Sequence, residues 1–521
     1  MKNSRGLTLL QALLLSLLLV CPVSPAIMAL NATSGDWPMG SRDPSRSNFA
    51  ETESLLSPPL MLKWSHKLNY TVDAITVAAG RIFAGVGGAP NLVVCFDVTD
   101  GREIWTYEVQ GSTSANDIPP TYVNGEIYAG GQYAKRFDVL NATDGAFIWG
   151  MNLASCIFAA PPIAAGGLVY LRTRFNALYA IDPVTRSVRW NLTGVRSFAA
   201  PAVSDGLLFV PLSTVASGPV LMALDSSTGT LRWNKSVLTQ SLDVPLVSGG
   251  NVFIAGGESG GYSILALSTS DGSQVWKTAV DSGFQPAWSG TGFMAEGHGV
   301  LYVSVADANM TTSRILAMNS SSGALLWRFE RSGGASNTCL FMTPTLANGV
   351  LYVVDYFGGK IYSLSAQSGM LLWEYSGGWR ATQAVVVNGV LYVFLGDELM
   401  AFANAAFNIT VSSRGAITVD GLTHQPSELP KTFQWSSASN HTLSIPQQTI
   451  GFLIQSVFDH WVVNGSPVSG ATITVTIEGP TEVEVVWRDD YTQLILAGGG
   501  GIVLAAVIIV LAKRKTHSPK S

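Results

Sequence analysis

Short stretches in which β-branched and aromatic residues alternate recur along most of this chain, each opened by a glycine. GLVYLRT (167–173), GLLFVPL (206–212), GNVFIAG (250–256), GVLYVSV (299–305) and GVLYVVD (349–355) place β-branched and aromatic residues in the pattern of a half-buried strand. A second set follows them: LVVCFDVTDGREIW (92–105), FDVLNATDGAFIW (137–149), NALYAIDPVTRSVRW (176–190), VLMALDSSTGTLRW (220–233), SILALSTSDGSQVW (263–276), RILAMNSSSGALLW (314–327) and KIYSLSAQSGMLLW (360–373). Each reads as a strand, a polar turn and a strand that ends near tryptophan. Asp97, Asn141, Asp182, Asp225 and Asn319 stand four residues before the glycine position, where a short polar side chain can bond the turning backbone. The glycine supplies the positive φ that the turn needs, and Arg186 takes its place once.

The tryptophans form a ladder: Trp105, Trp149, Trp190, Trp233, Trp276, Trp327 and Trp373, spaced from 41 residues (Trp149 to Trp190) to 51 (Trp276 to Trp327). A period in this range marks a radial or stacked array. Two hairpins per period make a four-stranded sheet, which roughly 43 residues accommodate as four strands of ~5–6 residues plus turns. Trp64, in PLMLKWSHKL, reads as a last strand that has lost its preceding turn. QAVVVNGVLYVFLGDELMAFA (383–403) supplies the matching first strands without a tryptophan. Joining the two closes one more sheet from both ends of the array, which removes exposed sheet edges. The expectation is an all-β, eight-bladed β-propeller over residues 36–405, with seven blades as the alternative count.

These residues resemble the tryptophan-docking repeat of the quinoprotein alcohol dehydrogenase-like β-propellers, the pyrroloquinoline quinone (PQQ)-like repeats. Their pattern A-x-D-x-x-T-G-x-x-x-W is nearly literal in ALDSSTGTLRW. The resemblance implies that Trp64, Trp105, Trp149, Trp190, Trp233, Trp276, Trp327 and Trp373 each dock on the neighbouring blade's turn. It also brings in a cofactor, PQQ with calcium. The enzymes that use it need a calcium site of Glu, Asn and Asp, a catalytic Asp and often a vicinal cysteine pair. No two cysteines are adjacent here, so no cofactor is expected, and quinone chemistry is the weaker reading.

Charged residues are 12% of the chain, glycines number 53 and the net charge is -5. Without a basic stripe interleaved with aromatics, nucleic acid is not an expected partner. Cys95 falls where other repeats have Ala180, Ala223, Ala266 and Ala317, so it reads as packing. Cys156 and Cys339 occupy matching places in opposite blades, too far apart to bond. His66, His298, His424, His441, His460 and His517 are scattered, with no two at metal-ligand spacing. No metal site and no catalytic triad are expected.

The ends and the surface add a location. Lys2, Arg5, the apolar run Leu9–Val20 and the small residues Ala26 and Ala29 read as a signal peptide over residues 1–29. Leu494–Ala512 reads as a transmembrane helix, followed by Lys513, Arg514 and Lys515 in a cytoplasmic tail at 513–521. Asn31, Asn69, Asn141, Asn191, Asn234, Asn309, Asn319, Asn408, Asn440 and Asn464 fit the N-x-S/T sequon. The combination predicts a single-pass, glycosylated, outward-facing protein of the cell membrane, of the kind found on archaeal surfaces. Residues 406–490 leave the repeat for alternating strands, a small all-β, β-sandwich-like stalk module in which ATITVTIEGPTEVEVVW predicts a hairpin turning at Gly479–Pro480.

For function, the inner-strand starts hold Asp73, Asp117 and Asp243, with Arg380 in the last blade. Converging on a central funnel, they are the candidate ligand site. The expected role is a scaffold that binds a protein or a glycan, similar in kind to the propeller subunit of the outer-membrane protein assembly machinery. An exported PQQ-dependent or other oxidoreductase working in the funnel is the alternative.

Overall fold

In the computed structural model, these stretches pair into eight sheets, each with four antiparallel strands, spanning residues 72–108, 121–152, 163–195, 202–236, 246–279, 294–332, 345–376 and 385–404; Phe284–Pro286 adds a fifth strand to the sixth sheet and Phe49–Ala50 a parallel fifth strand to the seventh. The structure describes residues 35–497 except 71, 87–90, 110–117, 131–134, 154–160, 174–175, 196–198, 215–217, 237–242, 259, 287–291, 334–337, 379, 438, 447–449, 452–453 and 478. The signal peptide, Asn31, Asp117 and Cys156 lie outside the described residues. In the eighth sheet the fourth strand is Leu60–Lys67, paired antiparallel with Glu398–Asn404 so that Trp64 faces Ala401. The innermost strand of each sheet touches that of the next, from blade 1 round to blade 8 and back to blade 1. The sheets are therefore the blades of a closed ring.

The core lies between blades. Middle strands are buried on both faces, as in Val350–Asp355 and Val390–Leu395, because each is covered by the blades before and after it. Cys95 is fully buried there beside Phe83 and Trp105, and burial pushes its thiol up to about 12.

One joint shows how the blades hold together. The Asp225 carboxylate accepts the N–H groups of Ser227 (3.1 Å) and Thr228 (3.0 Å), and Gly229, at φ 72°, closes the turn by donating to the Asp225 carbonyl. Trp190 of the preceding blade lies on Gly229, where a Cβ would come within 2.8 Å of the indole. The Trp190 Nε1–H donates to the Ser226 carbonyl at 3.0 Å, and the Tyr170 hydroxyl donates to that same oxygen at 2.9 Å. Trp64, Trp105, Trp233, Trp276 and Trp327 pack on Gly101, Gly145, Gly272, Gly323 and Gly369 in the same way. Their indoles donate to the carbonyls of Val98, Ala142, Thr269, Ser320 and Ala366. Trp149 and Trp373 do not: they pack on Phe137 and Tyr128, and on Tyr375 and Phe402.

The last propeller strand runs on into a separate two-sheet sandwich. One sheet orders Lys431–Ser436, Ala406–Ser412, Thr481–Asp490, Gln455–Val463 and Ser466–Val468; the other orders Leu422–His424, Ile417–Val419, Asn440–Ser444 and Thr472–Thr476. The expected hairpin at Gly479–Pro480 is not formed. Thr472–Thr476 pairs with Asn440–Ser444 in one sheet, while Thr481–Asp490 pairs with Ala406–Ser412 and Gln455–Val463 in the other. Ile473 and Val475 thus meet Val483 and Val485 across the core, a burial that hairpin pairing would not provide.

The expectation of a transmembrane helix is also corrected. The only helix at that position among the described residues is Thr492–Ala497, six residues or ~9 Å against the ~30 Å of a bilayer core. No helix of the described residues is long and apolar enough to cross a membrane. The next four residues of the sequence, Gly498–Gly501, each carry a helix penalty of roughly 1 kcal/mol; the rest of the run and the tail at 513–521 lie outside the described residues. The fold is therefore an eight-bladed propeller with a β-sandwich, and the single-pass cell-membrane placement is withdrawn with the helix.

Candidate functional site in the central channel

The channel is walled by the eight innermost strands, and side-chain hydroxyls stitch that wall. Thr76, Thr121 and Thr345 donate to the carbonyls of Pro120 (2.5 Å), Pro162 (2.7 Å) and Ala384 (2.6 Å), each on the following blade. At one end a strap of chain, residues 37–57, travels round the wall. Trp37 pairs with Val77 of blade 1, and the Pro38 carbonyl accepts the Tyr122 N–H of blade 2. The carbonyls of Pro44, Ser45, Ser47 and Asn48 then accept the N–H groups of Val203, Val247, Glu296 and Leu346 in blades 4 to 7. Glu53 finally accepts the Gly389 N–H of blade 8 at 2.8 Å.

The strap side chains are packed into the channel rather than laid over it. Trp37 (1% exposed), Met39, Ser41, Arg46 (2%) and Asn48 are buried. The Arg46 Nε donates to the Pro201 carbonyl at 2.6 Å, and burial lowers its guanidinium to about 10 while the Asp43 charge opposes that shift. Asp43 gathers the strap by accepting the hydroxyl of Ser45 (2.7 Å) and the N–H of Ser47 (3.0 Å). All six backbone contacts fall at the second-to-last residue of an inner strand, near the glycine turns. That end of the channel is occupied by the strap.

At the other end stand the inner-strand starts. Asp243 precedes the inner strand of blade 5, its N–H donating to the Ala255 carbonyl, and burial raises its carboxyl to about 6. Arg380, at φ 63°, precedes blade 8 with its guanidinium 5.8 Å from the Tyr356 ring centroid. Asp73 lies on the Val72–Ala78 strand of blade 1, with its side chain outside the described residues, as is all of Asp117. The structure does not bring Asp243 and Arg380 together: Asp243 makes no ion pair among the described residues. Arg172, in the last position of the second strand of blade 3, was not singled out by the repeat. Its guanidinium, 3% exposed, donates to the Ala199 carbonyl at the start of blade 4, and burial lowers it to about 10. Its Nε and Nη2 have no hydrogen-bond partner among the described residues. The signal for it was available, because GLVYLRT is the one repeat copy with a charge where the others carry Pro, Ala, Ser or Val.

The sequons divide by geometry. Asn69, Asn191, Asn234, Asn309, Asn408, Asn440 and Asn464 are exposed. Asn141 and Asn319 are half-buried, and their side-chain oxygens accept turn N–H groups at 2.8 Å (Thr143) and 3.1 Å (Ser321). These two amides serve the repeat turn.

Among the described residues no group of three or more His, Cys, Asp or Glu is placed to hold a metal ion. Asp243 stands apart from Arg380, and Cys95 and Cys339 are buried in different interblade cores. No reaction step is drawn through a quinone here.

Comparison with known proteins agrees with this architecture. The chain is 22% identical over 308 residues to the outer membrane protein assembly factor BamB of Moranella endobia, covering 53% of this chain and 72% of that protein. It is 26% identical over 298 residues to the tetrathionate hydrolase of Acidithiobacillus ferrooxidans, covering 53% of each. The solved quinohemoprotein alcohol dehydrogenase of Pseudomonas putida HK5 superposes with a TM-score of 0.56 at 13% identity, over 71% of this chain and 80% of that one, a likeness of fold alone. The model of one propeller family matches three overlapping stretches, 135–213, 200–313 and 285–414, which together run through more than half of the sequence. By that match the chain belongs to the family of the outer membrane protein assembly factor BamB.

Proposed function

We propose that this protein is a binding scaffold that holds a protein or glycan at the end of the ring opposite the strap. The observation that carries the reading is the strap itself, bonded in turn to blades 1, 2, 4, 5, 6, 7 and 8. A rigid ring with one end filled offers a single recessed face, built from loops on a fixed frame, which is a usual place for binding residues. The family supports a partner that is a macromolecule. The glycan alternative rests on the same face and differs in the ligand.

The test places a photoreactive residue at Asp243, on the open end, and another at Asp205, in a glycine turn on the strap end. Irradiation with an envelope fraction is expected to give one defined adduct from position 243 and none from 205. Equal adducts from both, or dye reduction with alcohols or sugars after adding PQQ and calcium, would overturn the scaffold reading in favour of the oxidoreductase.

A further inference from the structure

The sandwich carries a side-chain group that the channel does not use. The strand Ile417–Val419 runs into a tight turn at Asp420 (φ 48°) and Gly421 (φ 83°), and Asn440–Ser444 lies beside it. The Thr442 N–H donates to Asp420 Oδ1 at 2.8 Å. Asp420 Oδ2 lies 2.7 Å from His441 Nδ1, and His441 Nε2 lies 2.8 Å from Ser439 Oγ. Trp435 is stacked flat on the imidazole, with centroids 3.9 Å apart and planes 6° apart. The stack sets the plane of the ring and the carboxylate sets its rotation within that plane. Burial pulls the Asp420 carboxyl up, and the bonds from His441 and Thr442 outweigh it, leaving the group below its ordinary range and ionised at neutral pH. An ionised Asp accepts only, so Nδ1 carries the proton and Nε2 turns a lone pair toward Ser439.

We propose that Ser439, His441 and Asp420 form a nucleophilic acyl-transfer site acting on carboxylic esters. A nucleophile within reach of a base that a third group orients is recognised by geometry on any fold. The group lies at the surface, with the His441 side chain 17% and Asp420 45% exposed, so an ester on a solvent-facing molecule can reach it. The Ser439 hydroxyl donates to the Ser436 carbonyl at 2.6 Å, so its one proton turns from that carbonyl to His441 Nε2 as the reaction begins. In the reaction the Ser439 O–H proton passes to His441 Nε2 as Oγ bonds to the ester carbonyl carbon. His441 returns that proton to the departing alkoxide as the ester C–O bond breaks, leaving acyl-Ser439 and an alcohol. Water then gives a proton to His441 Nε2 as its oxygen bonds to the acyl carbon, and His441 passes that proton to Ser439 Oγ as the acyl–Oγ bond breaks, releasing the carboxylic acid and the free serine. Ser439 and His441 are the catalytic residues; Asp420 is a positioning residue.

The experiment treats the full chain with a fluorophosphonate probe and, separately, with p-nitrophenyl acetate. In the first, an Oγ–P bond forms as fluoride leaves. The expected result is one phosphonyl group on Ser439 by peptide mass, and ester hydrolysis that Ser439→Ala reduces to background. His441→Gln should slow both by about 10²–10⁴-fold, the usual worth of a general base. Asp420→Asn should slow both and change the pH dependence of labelling, which loss of a purely structural contact would not do. An unlabelled Ser439 in the folded wild-type chain, or equal labelling in His441→Gln, would overturn the proposal. Should His441→Gln fail to fold, the unchanged pH profile of Asp420→Asn would overturn it alone.

Discussion

The joint between blades 3 and 4 and the joint between blades 2 and 3 are assembled from the same kinds of residue and end in different arrangements. In the first, Trp190 lies on Gly229 and, with Tyr170, binds the Ser226 carbonyl. In the second, Arg186 occupies the glycine position at φ 55°. Trp149 turns back onto its own blade, edge-on to Phe137 with centroids 5.3 Å apart and planes at 80°. Its Nε1–H is buried without a partner among the described residues, and the Tyr128 hydroxyl donates to Glu126 at 3.0 Å. The difference separates the ladder into its working parts. A tryptophan at the right period docks only where the next turn lacks a Cβ; the carbonyl bonds follow from that space.

The largest expected effect comes from filling the space. Gly229→Ala would press a methyl against Trp190 and hold alanine in the left-handed region, costing about 2–4 kcal/mol together. Arg186→Gly should stay within about 1 kcal/mol of wild type while freeing room for Trp149 to dock, seen as a shift of one indole N–H resonance. Urea unfolding reads the first. A loss in Gly229→Ala below about 0.5 kcal/mol would mean that the docked indole yields, and the contrast between the joints would collapse.

Replacing the indoles themselves gives the next effect. Trp190→Phe removes a hydrogen bond and part of the packed ring, about 1–2 kcal/mol. Trp149→Phe removes a buried N–H that has no partner, so its packing loss is offset and the net change should fall below about 1 kcal/mol. A third pair reverses sign. Tyr170→Phe loses its bond to Ser226 O and about 1 kcal/mol, whereas Tyr352→Phe should gain up to about 1 kcal/mol. Tyr352 is the equivalent residue of blade 7, and its hydroxyl is buried with no hydrogen-bond partner among the described residues. Blade 8 is closed by Leu60–Lys67 and so has no glycine turn to present a carbonyl. Chevron or thermal data that place the two tyrosines on the same side of zero would break the argument from ring closure.

These contrasts show which parts of the molecule were legible in sequence. The propeller repeat was, because Gly, Trp and the turn Asp or Asn act through local geometry that recurs at a fixed offset. Trp64 was readable as the displaced closing strand for the same reason. The failure of Trp149 to dock was foreshadowed by Arg186, yet the sequence does not say which way an undocked indole turns. The strap at 37–57 left no signal: it binds through backbone carbonyls, which every residue possesses, and follows neither a two- nor a three-and-a-half-residue period. Ser439, His441 and Asp420 meet because two strands share a sheet, although Asp420 and His441 are 21 positions apart in the sequence. Hydropathy alone suggested a spanning helix at Leu494–Ala512, and the described chain supports only Thr492–Ala497.

The smallest effect lies in the turns, where a charge can be added or removed while the four bonds to Oδ1 are kept. Asp225 Oδ1 accepts Ser227 N–H (3.1 Å) and Oγ (2.7 Å) and Thr228 N–H (3.0 Å) and Oγ1 (3.0 Å). Asn319 Oδ1 accepts the same four groups from Ser321 and Ser322, at 3.1, 2.7, 3.0 and 3.0 Å. One turn can titrate and the other cannot. The Ser227 hydroxyl, then Arg232 and Thr228, hold the Asp225 carboxyl well below the usual carboxylate range. Because the folded value lies below the unfolded one, its stabilisation is complete above about pH 4 and is lost as pH falls through the folded value. Asp225→Asn should therefore match wild type at low pH and lose this increment at neutral pH, flattening the fall in Tm on acidification. Asn319→Asp should steepen that fall, less strongly, since no arginine bonds its second oxygen in the way that Arg232 bonds Asp225 Oδ2 at 2.7 Å. Melting curves at pH 7 and pH 2.5 check both. Identical slopes in all three proteins would show that the turns use the shape of the side chain and nothing of its charge, which is what the interchange of Asp and Asn along the ladder would then mean.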